Sequence, residues 1–298
     1  MRLKDIGEFG LIREIARRRK TSPAVIKGIG DDCAVLRYTK DKYLLITADM
    51  IIEDVHFRLN RATPQQIGHK AMAVDISDIA ACGGVGKWAV VSAGLPKDTD
   101  LDFIDRIYSS IERIASKFNI DIIGGDTNLS EKIVISITVI GQVRKENLIL
   151  RNGAKVRDII FLTGRLTQKP DDLNFIPRIK EASFLVNNFK INSMIDISDG
   201  LLLDLGHIIS ESKVGACLYE SLIPYEGTSI KKAITTGEQF ELLFTTDGKY
   251  AKSILSRAKR KNINLTAIGE ITGRKGKIVF VNRKGGRKQL CAEGYRHF

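Results

Sequence analysis

Cysteine is scarce. Four residues, Cys33, Cys82, Cys217 and Cys291, stand far apart and form no Cys-x-x-Cys pair. Their spacing argues against a zinc site or a disulfide framework and predicts buried, reduced thiols. Long hydrophobic runs are missing too. No apolar segment is long enough to span a bilayer, and the opening stretch MRLKDIGEFGLIREIARRRK lacks the apolar core of a signal peptide. A cytoplasmic protein with no membrane partner is expected. The phosphate loop G-x-x-x-x-G-K-[ST] is absent: GGVGKW has the wrong spacing and puts Trp88 where a hydroxyl is needed. The protein-kinase signature is also absent, as are short-period repeats and low-complexity segments.

What is present is a soluble, globular composition over 298 residues, enough for one large domain or two of ordinary size. The net charge of +12 is unevenly placed. Residues 1–149 carry 22 basic and 20 acidic side chains, residues 150–256 carry 13 of each, and residues 257–298 carry 12 basic and two acidic. A basic stripe is a footprint for nucleic acid. Without aromatic interleaving or a nucleic-acid-binding motif, a solvated face is the preferred reading and no nucleic-acid partner is expected.

Along the chain, strand-like and helix-like patterns alternate. YLLITADM and WAVVSAGLP read as strands; PQQIGHKAMAVDISDIAAC and DLDFIDRIYSSIERIASKF read as helices. In the second helix, Leu101, Ile104, Ile107, Ile111, Ile114 and Phe118 share one face. IDIIGG reads as a short buried strand and KIVISITVIGQV as a longer β segment. The charged stretch RKENLILRNGAKVRD suggests a boundary near residue 147, giving domains 1–147 and 148–298. The second half predicts strands at IIFLTG, SMIDIS, FELLFTT and KIVFVNRKG, and helices at GLLLDLGHIISES and YAKSILSRAKRKN.

The chemistry-bearing feature is a set of acids. DISD occurs twice, at Asp75–Asp78 and Asp196–Asp199, each after an apolar segment and before a helix-like one. Asp31 and Asp32 sit in GIGDDC, Asp49 ends a strand, and Asp126 follows Gly124 and Gly125. Clustered carboxylates repel and take up protons unless cations are present. Oxygen-only ligands suit magnesium or calcium rather than zinc. Any one Asp before an apolar run is also a helix N-cap, and for Asp196–Asp199 alone capping is the simpler reading. The whole set points to metal. Gly28, Gly30, Gly124 and Gly125 precede acids, where bare backbone can approach a phosphate or simply turn. Phosphoryl transfer without a phosphate loop must lean on metals and positioning.

Taken in order, GIGDDCAVL, TADMIIEDVHF, AVDISDIAACGG, IIGGDT, LRNGA and MIDISDGLLLDLGHI resemble the thiamine-monophosphate kinase family, of the aminoimidazole ribonucleotide synthetase superfamily. The resemblance runs from about residue 5 to the final GYRHF. It implies a two-domain α+β fold of the aminoimidazole ribonucleotide synthetase type, with a homodimer made through the N-terminal domains. It implies ATP as co-substrate, several Mg2+ ions, and thiamine monophosphate as phosphoryl acceptor. By the same resemblance, Asp32, Thr47, Ala48, Asp49, Asp78, Asp126, Asp196 and Asp199 bind metal. Ala48 falls where some members have a hydroxyl, so its backbone carbonyl would serve. Gly125, Asp126, Arg151 and Ser198 contact ATP, and His56, Glu238 and Tyr295 contact the substrate. Without the resemblance, Arg151 reads as a surface residue, His56 as structural and Tyr295 as a tail aromatic packed on the core.

Three departures from the family pattern stand out. Asp75 replaces the usual Asn and adds a charge. TTGEQFELLF replaces a Gly-Gly-Glu-Asp-Tyr-Glu pattern, with Thr236, Gln239 and Phe240 variant. After FLTG, the run RLTQKPDDLNF lacks the usual small glycine-containing segment, so a rebuilt site edge is expected. The implied mechanism is direct in-line transfer in which Asp78 and Asp126 matter most. Sister enzymes fit less well. Hydrogenase-maturation relatives use a C-terminal cysteine, whereas this chain ends GYRHF; selenophosphate synthetases use a reactive Cys or selenocysteine near the N-terminus, and none lies before Cys33. The GIGDD and EDVHF elements suit aminoimidazole ribonucleotide synthetase poorly. A binding protein acting through the basic tail is the alternative of another class.

Overall fold

The structure is a computed structural model, and it describes residues 2–295. After helix α1 (Leu3–Arg17), the first half builds a six-stranded sheet from β1 (Val25–Lys27), β2 (Ala34–Arg37), β3 (Lys42–Ile52), β4 (Val85–Leu95), β5 (Asp121–Leu129) and β6 (Val134–Arg144). The order is β1-β2-β3-β6-β4-β5, antiparallel except for the β4–β5 pair. Helices α2 (Pro64–Ala81) and α3 (Leu101–Lys117) lie against it.

The start of α2 is encoded locally. Thr63 and Gln66 form a reciprocal capping box, and Pro64 occupies the first turn, where its missing N–H costs nothing. Fourteen of its 18 residues are buried, because the helix is roofed by the second half as well as by the sheet. It touches β3, β6, β4 and α3 on its own side and β9 and α4 on the other. A helix apolar all round is a buried helix. α3 buries Ile107, Ile111 and Ile114 as its periodicity predicts, whereas Leu101 at its start is 84% exposed.

The second half holds β7 (Asp158–Thr163), β8 (Leu166–Thr167), α4 (Ile179–Asn188), β9 (Ser193–Asp196), α5 (Leu201–Glu211), β10 (Gly215–Tyr219), β11 (Tyr225–Glu226), α6 (Ile230–Thr235), β12 (Leu242–Asp247), α7 (Ala251–Arg260), β13 (Leu265–Thr272), β14 (Ile278–Val281) and β15 (Arg287–Leu290). Seven strands form one sheet in the order β15-β14-β10-β13-β7-β12-β9, and β8 and β11 pair separately. One apolar core fills the first half; another lies within the second. A third joins Ala80 and Ala81 of α2 to Phe161, Leu185, Met194 and Phe244, welding the halves together.

Two expectations are corrected here. IDIIGG is not a short buried strand: β5 runs to Leu129 at the sheet edge and is mostly exposed, Ile123 at 59% and Leu129 at 76%. Three cysteines are buried and free, but Cys291 is exposed. No helix among the described residues is long and apolar enough to cross a membrane.

Candidate active site

The two DISD copies meet. The first lies inside the last turns of α2, within the segment read as a helix; the second leaves the end of β9. Where α2 crosses β9, Ser77 Oγ donates to Asp196 Oδ2 at 2.6 Å, a buried bond across 119 residues of sequence. Asp78, one residue on, turns a carboxylate toward those of Asp32 and Asp196, and one oxygen from each of the three lies within 4.8 Å of the others. Thr47 of β3 donates its hydroxyl to Asp78 Oδ2.

Helix capping does not explain the second copy. The N-cap of α5 is Gly200, with no side-chain cap. Asp204, in the first turn, accepts the N–H groups of Asp199 and Gly200 at 3.1 and 3.0 Å. Capping is therefore done by a different acid, which leaves the DISD carboxylates for other work.

The electrostatics fit a site built for cations. Burial pushes Asp196 up to about 7, and the charge of Asp32 adds to that. Burial, then Asp32, pushes Asp31 up to about 6. Asp78 is raised well above the usual carboxylate range by burial, then by Asp49, Asp196 and Asp32. Asp49 is raised by burial as well. Asp32 Oδ2 is buried without a hydrogen-bond partner among the described residues. An orphaned carboxylate oxygen beside two further carboxylates is a donor set that suits a hard, oxygen-seeking cation.

Arg151 closes this end. Its Nη2 donates to Asp32 Oδ1 at 2.6 Å, and its backbone N–H reaches Asp31. Burial opposes its charge, but the charge and hydrogen bond of Asp32 together with Asp31 and Asp204 outweigh that. Arg151 is thus a partly buried partner of the acid cluster, not the surface residue its flanking sequence suggests.

Between the halves lies a cavity of about 600 Å3. Asp49, Asp78, Asp196, Ser198 and Asp199 line it, and so do His56, Glu238 and Tyr295. A larger cavity, about 990 Å3, opens near α7, but its buried acid, Glu241, is already engaged by Arg178 and Thr163. The smaller cavity is the one lined by Asp78 and Asp196 of the three-carboxylate group. Its far wall is the loop before β12, where Glu238 and Phe240 take left-handed backbone at φ 57° and 49°. Non-glycine residues in that region cluster at functional sites. The loop is pinned by Glu238 N–H to Ser198 O at 2.6 Å and Phe240 N–H to Ile197 O at 2.8 Å. Tyr295 N–H donates to Asp199 O at 2.9 Å, and the Ile52 N–H donates to His56 Nδ1 at 3.1 Å.

Asp126 and Ala48 are outside the three-carboxylate group. Asp126 is exposed on β5, accepts from Asn128 Nδ2 at 2.6 Å, and is not in the three-carboxylate group. Its neighbour Gly125 has a backbone reason to be glycine, since a Cβ there would sit 1.7 Å from Val91 O of the paired strand. Ala48 of β3 is exposed, between the inward-facing Thr47 and Asp49. Asp75 is fully buried, and its Oδ1 accepts from Asp49 N–H at 3.2 Å. Burial, then the charge of Asp49, raises it well above the usual range. The shift favours the protonated acid at this position.

Sequence reasoning missed Lys70 and Asp172. Lys70 is 1% exposed in α2 and donates to His56 O at 2.9 Å, to Asp172 Oδ2 at 2.5 Å and to Glu238 Oε1. A lone lysine among the buried residues of α2 was the available signal.

Two family models match the chain: AIR synthase related protein, N-terminal domain, over residues 30–143, and its C-terminal domain over residues 137–282. Two α+β domains with an acid-lined cavity between them make this an AIR synthase related protein. The thiamine-monophosphate kinase of Buchnera aphidicola subsp. Schizaphis graminum is 33% identical, with 99% of each chain covered. That of Aquifex aeolicus is 31% identical over the whole of both chains. The solved structure of AaThiL complexed with AMPPCP and TMP aligns with a TM-score of 0.84 at 29% identity, covering 100% of this chain and 99% of that one. The chain belongs to the thiamine-monophosphate kinase family, and it is an enzyme of the phosphotransferase class.

Proposed function

We propose that the chain transfers the γ-phosphoryl group of ATP to thiamine monophosphate, giving thiamine diphosphate and ADP, by magnesium-dependent in-line displacement. The observation that carries this reading is the convergence of Asp32, Asp78 and Asp196 at one end of a cavity whose other wall holds His56, Glu238 and Tyr295. Asp32, Thr47, Ala48, Asp49, Asp78, Asp126, Asp196 and Asp199 would hold the cations, and the orphaned Asp32 Oδ2 supports their fit. Bound magnesium offsets the repulsion between two phosphates and the charge of the phosphoryl group in flight.

The chain's own groups position the reactants. Gly125, Asp126, Arg151 and Ser198 face ATP; the Arg151 guanidinium is a charge-assisted donor already aimed by Asp32. An acceptor phosphate oxygen attacks Pγ, the bond from Pγ to the bridging oxygen breaks, and ADP leaves. A phosphate dianion needs no general base, so alignment dominates. Asp78 and Asp126 are the side chains on which alignment most depends.

The exposed β5 edge supports a homodimer through the first domain, 1–147, since an unpaired strand with apolar residues seeks a partner. The second domain, 148–298, carries Glu238 and Tyr295 of the substrate wall, and the first carries His56. A cytoplasmic location goes with this reading. ADP release from ATP and magnesium, measured with and without thiamine monophosphate, tests it. Stimulation by thiamine monophosphate is expected; stimulation by another phosphorylated compound alone overturns the substrate.

A further inference from the structure

Building on that reading, we propose that Asp172, held by the buried Lys70 against Glu238, forms a subsite for the positively charged ring of the acceptor and sets specificity for it. The observation is an asymmetry in one three-residue cluster. The Lys70 side chain is 1% exposed, whereas Asp172 is 25% and Glu238 40% exposed, and both acids line the cavity.

A lysine near a phosphate site invites the reading of an anion binder. The geometry excludes it. An ammonium has three N–H donors, and all three of Lys70 are spent on His56 O, Asp172 Oδ2 and Glu238 Oε1. The lysine is sealed behind its partners. Each carboxylate keeps further lone pairs for a second donor or cation. One ammonium against two carboxylates leaves one negative charge facing the cavity. Lys169, also on the wall, is exposed and screened by solvent.

Asp172 belongs to the segment that departs from the family pattern, and that segment is strapped down. His69 Nε2 meets Phe175 O at 2.7 Å. The Phe175 ring stacks on Phe240, centroids 3.9 Å apart and 11° from parallel. Arg178 Nε donates to Glu241 Oε2 at 2.7 Å. A carboxylate fixed this way loses little freedom on binding, which is how a surface strap becomes a specificity element. The ligand chemistry that fits is a flat, permanently cationic nitrogen heterocycle whose phosphate points to the aspartate cluster. Lys70 acts as a positioning residue; it touches no substrate.

The test compares thiamine monophosphate with deazathiamine monophosphate, whose neutral ring has the same shape. Wild type should prefer the cation, and Asp172→Asn should lower kcat/KM for the cation by about tenfold. The neutral substrate should fall by much less, the loss should appear in KM for the acceptor and not in KM for ATP, and Asp172→Glu should recover most of the preference. Equal use of both substrates by wild type overturns the inference without any variant. Normal wild-type turnover with an Asp172→Asn variant that loses both substrates alike, or neither, overturns this inference only. No turnover of thiamine monophosphate by wild type overturns the reaction assigned above and this subsite with it.

Discussion

Replacing Asp75 by asparagine should change how stability depends on pH. Asp75 is 0% exposed in α2, its Oδ1 accepts from Asp49 N–H, and its Oδ2 has no partner among the described residues. Burial and the nearby Asp49 raise its pKa well above the usual range. The folded chain therefore keeps a proton there that the unfolded chain releases near the ordinary value of 3.8. The stabilisation is complete below that value and is lost as pH rises toward the folded-state pKa, because the folded state binds the extra proton. Across that window the loss is about 1.4 kcal/mol per pH unit. Asparagine keeps the acceptor at Oδ1 and cannot ionise. Its unpartnered amide costs the same at every pH.

The Tm of Asp75→Asn should therefore rise relative to that of wild type as pH increases, by roughly 2 °C per unit in a chain of 298 residues. Thermal unfolding of both proteins at pH 5 and pH 6 in chelator measures it. Parallel curves would show that Asp75 is ionised in the fold, and the reasoning from its burial would fail.

Asp78→Asn should fold as wild type does, since the carboxylate faces the cavity, yet lose roughly 100-fold in magnesium-dependent turnover; near-normal kcat would remove Asp78 from its proposed role. With Asp196 at about 7, protons compete for the same oxygens, so the magnesium concentration giving half-maximal turnover should climb as pH falls below about 7. Ser77→Ala removes the hydrogen bond that opposes this rise and should move the midpoint up by about one pH unit. A midpoint that stays put or falls would show that Ser77 does not tune Asp196.

Most of the secondary structure was legible because each element carries its own period. The alternating apolar residues of β6 read as a strand, and the four-residue spacing from Ile107 to Ile111 reads as a helix. Legibility failed where tertiary contacts set the environment. Ile122 and Ile123 look like a buried pair, but at a sheet edge one turns inward and the other is left exposed. α2 was read through the first DISD copy, but the burial of Asp75 and Ser77 was not legible, because it comes from the roof that β9 and α4 supply. Asp172 has no periodic signal at all, since a strap takes its conformation from what it is tied to.

The repeated tetrapeptide was informative for a reason that sequence alone could not supply. In each copy one member faces the cavity and another secures the crossing of the two halves. In α2, Asp78 faces the cavity while Ser77 bonds across to β9; in the second copy Asp199 lines the cavity while Asp196 receives that bond and also reaches the carboxylate cluster. A buried hydroxyl–carboxylate bond at the point where α2 meets β9 fixes the separation of the acids to either side of it. Moving either element by one residue would leave Asp196 without its donor and Asp78 out of reach of Asp32. The acids are held close despite their mutual repulsion because the same crossing buries Ala80, Ala81, Met194 and Leu242 in one core, so the apolar packing that joins the halves also supplies the force that holds like charges together.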